Sequence, residues 1–213
     1  MKSRARLIRW DRSGAIVTEE IKYDEEPYLA QFFRRYYKAP PHIRGVDSTV
    51  VLLNDDGDEY SSARTALGLD LGIPLVKISV PCLNKPEQWF ITGAPTAAAY
   101  IPPERSTRGF VAYDVSRNKA VYLKDTWRVE QAGIEIEGDI YHLLAEHNVP
   151  HIAHCLAAGD IADHSTHTHE HGECNWACST TPFIRRRHYR LVLDVVGNLL
   201  TNFSSSFEMV RAV

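Results

Sequence analysis

One stretch limits the folds open to this chain more than any other. Between residues 88 and 196, five short β-rich segments follow one another: Gln88–Thr92, Gly109–Val115, Ala120–Lys124, Ile152–Ala158 and Tyr189–Val196. A single run with helical spacing interrupts them. It extends from Ile134 to His147, and Ile136, Ile140, Leu143 and Leu144 recur at helical intervals despite glycines at 133 and 138. Ser116-Arg117-Asn118-Lys119 has turn chemistry and joins two of the strands. This order predicts an α+β fold in which one helix lies against an antiparallel sheet. Gly93 to Arg108 reads as a long connection, and Gly159–Pro182 as a polar insertion.

The first third of the chain reads as mixed. Leu7–Trp10 and Ala15–Thr18 flank Asp11-Arg12-Ser13-Gly14 and predict a hairpin. Pro27 suits the first turn of a helix over Tyr28 to Tyr37, with Leu29, Phe32, Phe33 and Tyr36 as its core-packing face, and Pro40-Pro41 breaks it. A strand at Val50–Leu53, a helix near Glu59–Leu69 and a strand near Leu75–Val80 follow. Asn54-Asp55-Asp56-Gly57-Asp58 is an acidic turn. It lacks the alternating ligands, the glycine at position six and the glutamate at position twelve of a calcium loop.

Composition narrows the function. With 4 Trp, 10 Tyr and 7 Phe in 213 residues, the chain has enough apolar surface to form a core, which excludes general disorder. A net charge of −3 argues against nucleic acid as a partner, although Lys2, Arg4, Arg6, Arg9 and Arg12 make the start basic. No apolar run is long enough for a membrane helix, and the first residues lack a signal-peptide core. Cys82, Cys155, Cys174 and Cys178 are too few for a disulfide scaffold and fit reduced thiols, so a cytoplasmic or nuclear location is expected.

The candidate chemistry lies in one pair. Lys124 ends an apolar strand, and Glu137 follows thirteen residues later on the predicted helix. An ammonium held beside a carboxylate across a sheet–helix seam can fix the α- and β-phosphates of a nucleotide. By itself, however, a lysine at a strand end is an ordinary solvated residue.

The larger pattern is more specific. The segments Arg9-Trp10-Asp11-Arg12-Ser13-Gly14, Thr107-Arg108-Gly109-Phe110-Val111-Ala112, Leu123-Lys124-Asp125-Thr126-Trp127-Arg128, Glu137-Gly138-Asp139-Ile140-Tyr141, Val149-Pro150-His151-Ile152-Ala153 and Arg187-His188-Tyr189-Arg190-Leu191-Val192-Leu193-Asp194 occur in this order across nearly the whole chain. In this the chain resembles the fungal-type protein kinases, a divergent branch of the protein-kinase fold. The resemblance implies a kinase-like small lobe over 87–213, with a five-stranded antiparallel sheet and one principal helix, preceded by a family-specific accessory region over 1–86. It implies that Lys124 is the nucleotide-phosphate lysine and Glu137 its helix partner, with Glu135 or Asp139 as fallback. Leu193 would be the gatekeeper, the backbone of Asp194, Val195 and Val196 would meet adenine, and Ser205–Val213 would open the next helix. ATP and magnesium are the cofactors it implies.

The departures from that pattern matter. Gly93 and Gly109 are too far apart to form a phosphate-cradling loop. No His-Arg-Asp or Asp-Phe-Gly occurs. The resemblance puts the base and magnesium ligands in a large lobe absent here, so the expectation is a truncated, pseudokinase-like piece, inactive alone and weak or void in ATP binding. Apolar surface left exposed near the hinge and the helix would suit a protein partner. The run His164 to Cys178 holds four His and two Cys. Its spacing matches no zinc finger, and it reads as a solvated loop with adventitious metal affinity. Arg185-Arg186-Arg187-His188 reads as a solvated strand entry.

Overall fold

The computed structural model describes residues 3–82, 85–98, 105–171, 174, 183–198, 202, 205 and 207. In chain order the elements are β1 (Arg4–Ala5), β2 (Ile8–Asp11), β3 (Gly14–Val17), β4 (Ile21–Lys22), α1 (Tyr28–Lys38), β5 (Val50–Leu52), α2 (Asp58–Leu67), β6 (Val76–Cys82), β7 (Lys85–Thr92), β8 (Arg108–Asp114), β9 (Lys119–Val129), α3 (Glu137–Glu146), β10 (Cys155–Ser165), a 3-10 turn (Thr168–His171) and β11 (Arg186–Leu193). The fold is α+β. No helix among the described residues is long and apolar enough to cross a membrane.

A seven-stranded antiparallel sheet organises the chain, in the order β10-β11-β9-β8-β7-β6-β5. The five strands expected after residue 87 form a contiguous block, but the sheet does not stop there. β6 pairs with β7 from Val76↔Thr92 to Cys82↔Lys85, and β5 pairs with β6. The expected five-stranded sheet is therefore a seven-stranded one, because the first 86 residues supply two strands that continue the hydrogen-bond ladder. The sheet curls until β10 packs back against β6, where Gly159 lies on Pro81. Any Cβ at 159 would lie 2.8 Å from the Pro81 Cβ.

Side-chain alternation assigns the two faces. Inside the curl lie Ile78, Val80, Phe90, Phe110, Ala112, Val121, Leu123, Ala157 and Val192, all buried. On the outer face α2 packs on Ile91 and Tyr113 through Ala63, with Leu75. α3 covers the same face further along, through Gly138 on Tyr189 and Ala158.

The β8–β9 turn sets the register. Asp114 Oδ1 accepts from Ser116 N–H at 2.9 Å and Arg117 N–H at 3.2 Å, and Tyr113 Oη donates to Asn118 Oδ1 at 2.7 Å. The positive φ of Asn118, 50°, is one that asparagine tolerates.

β9 outruns its sequence reading, continuing past Lys124 to Val129, and β10 runs into the predicted insertion as far as Ser165. Their polar residues are paired rather than solvated: Arg128 makes a bidentate contact to Asp160 at 2.7 and 2.6 Å. Conversely, α1 forms as predicted but buries none of its residues, and Phe33 is 60% exposed. Its aromatics contact one another (Phe32 with Phe33 and Tyr36) instead of the core. The expected β2–β3 hairpin is present. Asp11 ties it to the start of the His-rich run, accepting from the N–H groups of His167 and Thr168 at 2.8 and 2.9 Å. That portion is therefore clasped, not a solvated loop, and Thr166 and Thr168 are buried. Gly172, Glu173 and residues 175–182 lie outside the described residues, as does most of the helix expected at Ser205–Val213.

A polar network continues the core. The Arg190 guanidinium has no exposed surface. It donates to Asp125 Oδ2 (3.1 Å), Asp47 Oδ2 (3.0 Å), Thr49 Oγ1 (2.8 Å) and the Ser79 carbonyl (2.7 Å). Asp125 Oδ1 lies 3.0 Å from His188 Nε2. Burial pushes the Asp125 carboxyl up, but the His188 hydrogen bond and the charges of Arg108 and Arg190 outweigh it and hold its pKa below the carboxylate range. His188, expected in a solvated entry, is 3% exposed. Removing the carboxylate would take from the buried guanidinium the more buried of its two carboxylate partners, so Asp125→Ala should cost about 3–5 kcal/mol in urea unfolding.

Candidate functional site

The register that buries Asp125 turns Lys124 to the outer face, opposite Gly109 on β8 and Leu191 on β11. Its Nζ donates to both oxygens of Glu137, at 2.9 and 2.7 Å. Glu137 is the first residue of α3, where a carboxylate favours the helix N-terminus. The side chains are 27% and 38% exposed, so solvent reaches both. Glu135 and Asp139, the fallback partners, are exposed.

Gly138, treated in the sequence only as a weak helix residue, sets the distance between helix and sheet. Its N–H donates to Tyr189 Oη at 2.8 Å. A Cβ there would fall 2.5 Å from that hydroxyl and 2.7 Å from the Ala158 Cβ. The available signal was a glycine inside an apolar helical pattern beside the candidate carboxylate.

Leu193 ends β11 opposite Tyr122, on the Lys124 face and about 7 Å along the sheet from Lys124. The strand predicted to reach Val196 stops at Leu193. Asp194 instead exchanges two hydrogen bonds with His154, donating its N–H to the carbonyl at 3.0 Å and accepting the His154 N–H at 2.9 Å. Val195 and Val196 are exposed. An open cleft of about 400 Å³ flanks Glu137, lined by Ile140, Tyr141, Leu144, His151 and Ile152 among others. Burial, with the Glu137 charge adding to it, raises the Tyr141 hydroxyl and pushes the Cys155 thiol up to about 11.

Neither Gly93, just after β7, nor Gly109, on β8, is open to a phosphate. A Cβ at Gly93 would meet Leu69 at 2.8 Å, and one at Gly109 would meet the Tyr122 hydroxyl at 2.3 Å. The Gly109 N–H is already donated to the Ala97 carbonyl at 2.8 Å. The basic run is ion-paired at the surface, Arg185 and Arg187 both to Glu130 at 2.9 Å. Among the described residues of the His/Cys run, only His164 belongs to a group of three potential metal ligands, with Asp47 and His188.

No family model, curated protein or solved structure matches this chain.

Two substitutions, with a third as control, separate positioning from pairing. Gly138→Ala should lower stability by about 1–3 kcal/mol through overpacking, whereas Gly72→Ala, with open space around it, should not. Lys124→Met removes a partly exposed ion pair and should change the unfolding free energy by less than about 1 kcal/mol. Thermal and urea denaturation followed by circular dichroism measure all three.

Proposed function

We propose that the sheet–helix seam is the phosphate-anchoring part of an ATP site, and that the chain is a protein kinase-like small lobe of the fungal-type family it resembles. The Lys124–Glu137 ion pair carries this reading. Counted within the block that starts at β7, the lysine lies on the third strand and the carboxylate on the helix that follows it, the arrangement by which kinases hold the α- and β-phosphates. Leu193 and the strand-free Asp194–Val196 backbone lie at the neighbouring end of β11, where an adenine edge could be met.

Phosphoryl transfer also needs a base and magnesium ligands. The 213 residues contain no His-Arg-Asp or Asp-Phe-Gly to supply them. The reading is therefore nucleotide binding without turnover by this polypeptide. Lys124 supplies the charge, and Glu137 keeps its ammonium aimed at the seam. A second reading, a docking module for a protein partner, is favoured by the exposed Ile140, Leu143 and Ile152 beside the cleft and by Val195 and Val196 beyond β11.

Calorimetric titration with magnesium ATP decides between them. Saturable binding that weakens at least tenfold in Lys124→Ala and in Glu137→Gln, with folding intact, supports the nucleotide site. Absent binding, or equal affinity in wild type and variants, removes it and leaves the docking reading.

A further inference from the structure

We propose that Asp47, His164 and His188 form a divalent transition-metal site, best suited to zinc, that ties together the two edges of the curled sheet.

The three residues come from separate parts of the chain. Asp47 precedes β5, one sheet edge; His164 lies on β10, the other edge; His188 lies on β11. One ligand atom from each lies within 4.8 Å of the other two. The Nδ1 atoms of His164 and His188 are 3.0 Å apart. Two nitrogens bound tetrahedrally to zinc at their usual bond lengths are separated by about 3.3 Å, so the imidazoles need only a small adjustment.

The surroundings suit a ligand set. His188 Nε2 lies 3.0 Å from Asp125 Oδ1, a carboxyl oxygen that accepts its N–H and so turns the Nδ1 lone pair toward His164. A carboxylate behind a ligating histidine is the usual outer partner of zinc imidazoles. Trp127 stacks on the His188 ring at 4.9 Å and 4°, fixing its plane. Asp47 Oδ1 accepts from the Thr49 N–H at 2.9 Å and from its hydroxyl, and Oδ2 accepts from Arg190 at 3.0 Å. A carboxylate has about four acceptor positions, so one remains for a cation. Asp47 and His164 are partly exposed, which gives an ion a way in and leaves water as the fourth ligand.

The same two nitrogens can instead share one proton in a metal-free hydrogen bond, and a third possibility is non-specific capture by His167, His169 and His171. Equilibrium dialysis of the full chain against zinc, with cobalt(II) absorption on the same protein, separates the three. The expected result has three parts. The wild type binds one equivalent, with the intense visible bands of tetrahedral cobalt. His164→Ala and Asp47→Asn each weaken binding at least tenfold. A variant carrying His167→Ala, His169→Ala and His171→Ala together keeps both stoichiometry and spectrum. Zinc should also raise the melting temperature of the wild type and of the loop variant. The cobalt spectrum of the unaltered chain tests the site even if a substitution impairs folding. No saturable binding by the wild type, a weak octahedral spectrum, or binding lost in the loop variant but kept in His164→Ala overturns the proposal.

Discussion

Arg190 is the side chain on which the curl of the sheet depends. A guanidinium cannot shed its proton to escape burial, so once it has no exposed surface the surrounding chain must supply acceptors. It takes them from Asp125 on β9, from Ser79 on β6, and from Asp47 and Thr49 just before β5. β11 and β6 are not neighbours in the ladder; three strands separate them. Only a sheet rolled far enough to bring them together satisfies the charge. Ion networks of this kind add little net stability over apolar packing but are expensive to break, so their main effect is to select one closure over its alternatives.

Strand β9 links that interior to the outer seam. Val121, Leu123 and Asp125 point into the curl, and Tyr122, Lys124 and Thr126 point out. Adjacent residues Lys124 and Asp125 thus serve opposite faces, and a slip of one residue would exchange them. The partner strand matches this register. Lys124 lies opposite Leu191, Asp125 opposite Arg190, Thr126 opposite Tyr189 and Trp127 opposite His188. Residues 123–128 and 187–192, two of the sequence segments singled out above, are therefore one paired unit. Its inward side chains form the polar core, and its outward ones seat α3 and hold its carboxylate.

Periodicity made the secondary structure legible, and pairing made its extent illegible. The hairpin, the three helices and every strand of the block from β7 onward were foreshadowed by apolar spacing and turn residues. The sequence reading ends β9 at Lys124, where the apolar run gives way to the charged Asp125 and Arg128. They lie within the strand because Arg190 and Asp160 neutralise them, and those partners are 65 and 32 residues away. The aromatic face of α1 misled in the opposite direction. Spacing predicts which residues share a face, not whether anything covers it. The Lys124–Glu137 pair was readable because both ends carry charge and the helix follows the strand closely. Gly138 showed only as a glycine within a helical pattern, and its part in setting the helix–sheet distance emerges once Tyr189 and Ala158 are placed.

The outer face also constrains what a nucleotide could contact. In a glycine-rich loop, backbone N–H groups approach the phosphates directly. Here the corresponding strand residue, Gly109, lies under the Tyr122 ring, and its N–H is already given to Ala97. Gly93 is packed beneath Leu69. Without those amides, the nucleotide site proposed above would rest on the Lys124 ammonium, whose direction is set by its two contacts to Glu137 at the start of α3. Such a site would depend on a single point charge on a side chain 27% exposed to water, which favours modest affinity with strong salt dependence over the tight grip of a backbone cradle.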